Sequence, residues 1–159
     1  MKTLLLGVAS SIALFSSAFA ATSASPLMGP VHQFADNFNK GDLKAAMAAF
    51  APGSISIIDE VAPFTWTGPG AVQDWAQSLT ANDAKAGITN ENVTLGALTR
   101  SIIEGDRGYA VVAVTYSYKQ KGKAMREPAS MVFSLVNGAD GWKINGWTWT
   151  GTVPQPVGK

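Results

Sequence analysis

The chain reads as an α+β domain in which three helices come first and an antiparallel sheet follows. Three observations predict this. Apolar residues recur at helical spacing in three segments up to about Asn82, and from Thr89 onward the period switches to two. The breaks between the later segments are short, polar, glycine-bearing turns, which imply antiparallel neighbours. Helices followed by strands is the α+β order, not the alternation of a parallel sheet.

Residues 1–20 predict a secretory signal. Lys2 supplies a positive start, residues 4–15 a short apolar stretch, and Ala18-Phe19-Ala20 a small-x-small cleavage site. Serines interrupt the run, and a membrane span needs roughly 20 mostly apolar residues. The expectation is an exported chain, periplasmic or secreted, with no membrane attachment after cleavage. Residues 21–27 are expected to be a disordered leader, 28–151 one domain, and 152–159, with Pro154 and Pro156, an extended tail.

Within the domain, Met28, Val31, Phe34, Ala35 and Phe38 make one face of a helix over 28–39, with Pro30 in its first turn and Gly41 after its end. Asp42 is placed to cap a second, short helix whose Leu43, Ala46, Met47 and Phe50 share a side. Residues 54–59 alternate as a short strand, while 61–70, with Pro63, Gly68, Pro69 and Gly70, read as a loop. Pro69 opens a third helix to about Asn82, buried through Val72, Trp75, Ala76 and Leu79. Four strands follow over about 93–104, 109–119, 124–136 and 142–149.

Composition removes several function classes. Without cysteine there is no disulfide, no thiolate metal site and no cysteine nucleophile, so the fold rests on core packing. Twelve Lys and Arg stand against 11 Asp and Glu, and loss of Lys2 brings them level. Nothing in that balance steers the chain to nucleic acid or to an anionic membrane. The cations Lys119, Lys121, Lys123 and Arg126 surround one hairpin turn, as solubilising edge charges do. The single histidine, His32, falls beside the apolar stripe of the first helix, and one histidine without cysteine does not support a transition-metal site. No cofactor is expected.

Asp59 and Glu60 are the candidate working groups. They stand where an apolar strand meets an aromatic loop, and a partly desolvated carboxylate there has its pKa raised toward the range useful for proton transfer. Alternation along a strand lets only one of the two face inward, and Asp59 shares parity with Ile55 and Ile57. The competing reading is a solvated strand end or loop cap. Among five tryptophans, Trp75 and Trp142 read as core; Trp66 lies in the loop beside the candidate carboxylates. Trp147 and Trp149 share one face of the last strand next to Gly146, a possible bulge, and suit either a ligand cavity or a dimer surface.

Three stretches carry a family resemblance: Phe34-Ala35-Asp36-Asn37-Phe38-Asn39-Lys40-Gly41-Asp42, then Ile57-Ile58-Asp59-Glu60 with Trp66-Thr67-Gly68-Pro69-Gly70-Ala71, and Gly141-Trp142-Lys143-Ile144. Together the order of elements and these residues resemble the nuclear transport factor 2-like superfamily, which includes ketosteroid isomerase and SnoaL-like proteins. The resemblance implies a cone: a bent sheet wrapped around the helices with a pocket inside. It also brings Asp59 near the place of the isomerase's general base. No tyrosine and protonated-aspartate pair can be set against the isomerase's oxyanion site, although Tyr116 and Tyr118 lie on a suitable strand and Glu127 is the one carboxylate in the middle of the later strands. Three readings follow. The first is an exported domain binding a small apolar or amphipathic molecule, with Asp59 or Glu60 fixing a polar group and Trp66, Trp147 and Trp149 in contact with the ligand. The second is an isomerase or lyase in which Asp59 takes a proton next to a carbonyl and Tyr116 donates to the oxyanion. The third is a homodimeric interaction module.

Overall fold

The computed structural model describes residues 25–158, and the expected signal sequence lies outside the described residues. Its elements are α1 (Met28–Asn39), α2 (Leu43–Met47), β1 (Ile55–Ile58), β2 (Thr65–Gly68), α3 (Ala71–Ala86), β3 (Ile88–Glu104), β4 (Arg107–Gln120), β5 (Lys123–Gly138), β6 (Gly141–Gly151) and β7 (Gln155–Pro156). One curved sheet runs in the order β2-β1-β6-β5-β4-β3, with β7 on β5 beyond the end of β6. The α+β cone predicted from the sequence is the observed fold.

The helices form where their stripes are. Pro30, Val31, Phe34 and Ala35 are the buried face of α1. Asp42 caps α2, its Oδ1 accepting from the Ala45 N–H at 2.9 Å. No breaker follows Asn82, so α3 continues one turn past the expected end and stops at Gly87, whose φ of 70° suits the left-handed C-terminal position. That extra turn carries Asp83 into the interior. Leu27, assigned to the leader from sequence, is fully buried. It lies over Gly108 beside the Trp142 ring, where any Cβ would occupy its place.

Two short strands depart from expectation. The segment read as a loop contains β2, whose Thr65–Gly68 pairs antiparallel with β1, and the expected tail contains β7. The sheet is also not wholly antiparallel, because β1 lies parallel to β6. In that pairing Gly146 meets the Ser56 carbonyl so closely that a Cβ would collide with it. Strand β6 carries one extra residue at Asn145, between Gly146 opposite Ser134 and Ile144 opposite Leu135. Because of this bulge Ile144 and Trp147, an odd number of residues apart, are both buried. Further bulges interrupt β3 between Thr89 and Asn92 and on either side of Leu98, and they bend the long strands around α1 and α3. Phe133, Ile57, Leu135, Ile144, Val31 and Val112 make the fully buried centre. No described helix is long and apolar enough to cross a membrane.

Candidate functional site

Alternation sets the inner wall of the sheet. On β4, Ala110, Val112, Val114, Tyr116 and Tyr118 point the same way; opposite them in register on β5 are Phe133, Met131, Ala129, Glu127 and Met125. Between this wall, α1 and α3 lies a cavity of about 100 Å³. Phe34 and Phe38 line it from α1, Trp75 and Leu79 from α3, and Trp147 and Trp149 from β6. The aromatic rings interlock: Trp75 meets Trp147 edge-to-face at 5.1 Å, and Phe34 meets Phe50 likewise at 5.2 Å. A larger cleft, about 750 Å³, opens around Phe50, Val136 and Lys143, but its lining is mostly aliphatic and loop backbone, with Asp140 as its sole carboxylate.

One side of the cavity is built by the bend after β1. Asp59 Oδ2 accepts from the Trp75 indole N–H at 2.6 Å, and its Oδ1 accepts from the Glu60 N–H at 2.7 Å. The backbone is fixed by the Asp59 N–H donating to Phe64 and the Phe64 N–H donating to Val61. Burial raises the Asp59 pKa above its ordinary value, against the pull of these two donors. Glu60 is pushed up to about 7 by burial first, then by the charge and contact of Glu127, then by Asp59. Glu127 is fully buried. Its Oε1 accepts from Trp149 Nε1 at 3.1 Å, whereas Oε2 has no hydrogen bond of sound geometry. A Cβ at position 151 would fall on both Glu127 and the Trp149 indole, so glycine is required there.

The other side is built by α3, β3 and β4. Tyr116 donates to Glu91 Oε1 at 2.5 Å, and Asp83, 7% exposed, lies beside the same glutamate. Burial and then the Glu91 charge push Asp83 up to about 7, opposed by the Asn82 amide, while Asp59 adds a smaller push. Tyr116 is raised far above its ordinary value by burial and by its hydrogen bond to Glu91.

Asp59, Glu60, Tyr116, Trp147 and Trp149 are therefore brought together as one lining. Both Asp59 and Glu60 face the cavity, contrary to the alternation argument, because β1 ends at Ile58 and the parity rule ends with it. Trp66 is not part of the lining. On β2 it is buried against α3 and donates to Ser78 Oγ at 3.3 Å, so it packs instead of meeting a ligand. Trp147 and Trp149 point inward, which removes the outer-sheet dimer surface considered for them. His32 is exposed and outside the lining. Sequence reasoning missed Asp83 and Glu91. The available signal was parity: Glu91 alternates with Val93 and Leu95, and Asp83 continues the Trp75–Leu79 stripe.

The family profile of the SnoaL-like domain matches residues 31–144. The chain belongs to the SnoaL-like domain family. No curated protein matches the sequence. Solved structures share the fold of this SnoaL-like chain. A protein from Kribbella flavida superposes with a TM-score of 0.66 at 15% identity, covering 82% of this chain and 90% of that one. The hexachlorocyclohexane dehydrochlorinase LinA-type3 from Novosphingobium barchaimii gives 0.65 at 10% identity, covering 80% and 85%. A ketosteroid isomerase-like protein from Erwinia carotovora atroseptica gives 0.63 at 13%, covering 84% and 99%. At such identities the likeness establishes the nuclear transport factor 2-like fold and not the chemistry.

Proposed function

We propose that this SnoaL-like domain binds a small apolar or amphipathic molecule in the cavity between α1, α3 and the inner face of the sheet, with Asp59 holding one polar group of it. One observation carries the reading: the Asp59 carboxylate sits in the wall of an aromatic cavity, already oriented by Trp75 and by the Glu60 N–H. An apolar concavity with a few placed polar groups is the form small-molecule sites take. Export through residues 1–20 and a homodimer belong to the same reading; a dimer would use residues other than Trp147 and Trp149.

A second reading has Asp59 as a general base acting next to a carbonyl. Its raised pKa favours it, as do neighbours that are a dehydrochlorinase and isomerase-like by name. Tyr116 would not be the oxyanion donor as arranged, because its proton is committed to Glu91. The unpartnered, buried indole N–H of Trp147 is a donor still free in the lining.

Native mass spectrometry of the exported protein, read for a co-purifying molecule and for subunit number, tests binding, export and dimerisation together. Asp59→Asn separates the two readings once a ligand is in hand. A binder loses affinity and never forms product; an enzyme keeps affinity and loses turnover by about 10²–10⁴-fold. Unchanged affinity and turnover would remove Asp59 from both.

A further inference from the structure

We infer that the occupant of the cavity is an amine: a positively charged nitrogen on a compact apolar or aromatic body. This rests on reading the cavity as a ligand site and goes on to name the ligand's charge. Three carboxyls reach the cavity from two directions, Asp59 and Glu60 from the bend after β1 and Asp83 from α3, and no Lys, Arg or His is among the lining residues. Behind them stand Glu91, beside Asp83 and Tyr116, and Glu127, beside Glu60. Among the described residues the sole ion pair is Asp106 with Arg107, far along the β3–β4 turn, so none of the five carboxyls has a cationic partner from the protein. Of the five, Asp83 and Glu127 are buried, and buried carboxylates are ordinarily paired, because leaving one unpaired in an apolar setting is costly.

Two independent observations show a site left incomplete by the protein alone. Glu127 is fully buried with Oε2 unpartnered, and Trp147, 4% exposed, lines the cavity with its N–H unpartnered. The first wants a donor beside Glu60, which an ammonium supplies; the second is a donor that the ammonium cannot satisfy and that the π-face of the ligand's aromatic body can meet. Trp75, Trp149 and Tyr116 also line the cavity, and an aromatic lining favours a cation. The described residues hold no cluster of three or more metal-ligating side chains, so the carboxyls surround a volume and do not converge on a point. At roughly 10–15 Å³ per ordered water, about 100 Å³ admits a ring-bearing molecule of about seven to ten heavy atoms.

The test uses three probes alike in shape and different in charge: 2-phenylethylamine, 2-phenylethanol and phenylacetate. Binding to the full exported chain is followed by calorimetry at pH 6 and pH 8. The amine is expected to bind at least about tenfold tighter than the alcohol at pH 8, and phenylacetate weakest of the three. A bound cation lowers the pKa of the facing carboxyls Asp59, Glu60 and Asp83; Glu91 and Glu127 stand behind them, α1 and β6 contribute no titratable lining group, and Tyr116 and Tyr118 stay neutral. Since Glu60 and Asp83 titrate near 7 when the cavity is empty, the amine should release protons on binding and weaken from pH 8 to pH 6. Glu60→Gln should shrink the amine's advantage over the alcohol. Equal binding of amine and alcohol, or preference for phenylacetate, overturns the amine inference and leaves the cavity reading standing. Binding by none of the three, with no change in melting temperature, overturns both.

Discussion

Asp59 and Asp83 stand on different walls of one cavity, yet the first carboxyl is met by two short N–H donors and the second by another carboxyl and one long contact from the Asn82 amide. Burial raises both. For Asp59 the Trp75 indole and the Glu60 amide favour the anion, whereas for Asp83 the neighbouring Glu91 favours the protonated acid. The difference separates the two walls: Asp59 is oriented by donors, and Asp83 is the carboxyl that burial and the Glu91 charge hold protonated to higher pH. Two carboxyls in one site with environments that separate them is the arrangement from which acid and base roles arise.

Four measurements break or sharpen this contrast. Trp75→Ala should have the largest effect. It removes a ring packed on Phe34, Phe38 and Trp147 and should cost about 3–5 kcal/mol in urea denaturation. Trp75→Phe keeps most of the ring and deletes only the donor to Asp59, for about 1–2 kcal/mol. Full stability in Trp75→Phe would mean that the indole N–H does nothing to hold Asp59.

The next effect is on pH dependence. The folded pKa values of Glu60 and Asp83 lie near 7, above ordinary values of 4.5 and 3.8. The native state therefore holds extra protons between those limits, and stability falls as pH rises through the window, levelling off above about 7. With discount for solvent screening, the double variant Glu60→Gln, Asp83→Asn should gain about 1–3 kcal/mol relative to the parent between pH 5 and pH 8. A flat difference curve between the two proteins would show that neither group is perturbed.

Glu127→Gln replaces a fully buried carboxyl that has no cationic partner with an amide of the same shape. It should stabilise by about 1–2 kcal/mol at pH 8, and carbon-detected NMR should find Glu60 titrating closer to 4.5. Destabilisation instead would show that the fold depends on Glu127 as an anion. The smallest effect is expected from Tyr116→Phe, about 1 kcal/mol for the lost hydrogen bond to Glu91. If Asp59 titrates differently in that variant, the two sides are more tightly joined than the geometry implies.

Much of the fold could be read from local patterns. The apolar stripe of α1, the Asp42 cap and the switch to alternation in β3–β6 needed no partner to be recognised. Strand β2 was not legible, because Thr65–Gly68 is four residues between Pro63 and Pro69 and only its pairing with β1 makes it a strand. Trp66 was misread for the same reason. Its tryptophan chemistry fits a ligand wall as well as a core, and the pairing of β2 turns it onto α3.

By itself the sequence determined the order of the three helices, of β1 and of the four long strands, the α+β class, and the conspicuous placement of Asp59 and Glu60 at a strand end, since periodicity and chain breaks are properties of neighbouring residues. The acidity of the cavity was decided by tertiary structure alone. Residues 59, 83, 91 and 127 become neighbours only through the parallel seating of β1 on β6, the register of β4 on β5 and the bulges in β3. Perturbed carboxyls depend on burial and on distances through space, and those quantities do not exist until the sheet has closed around the helices.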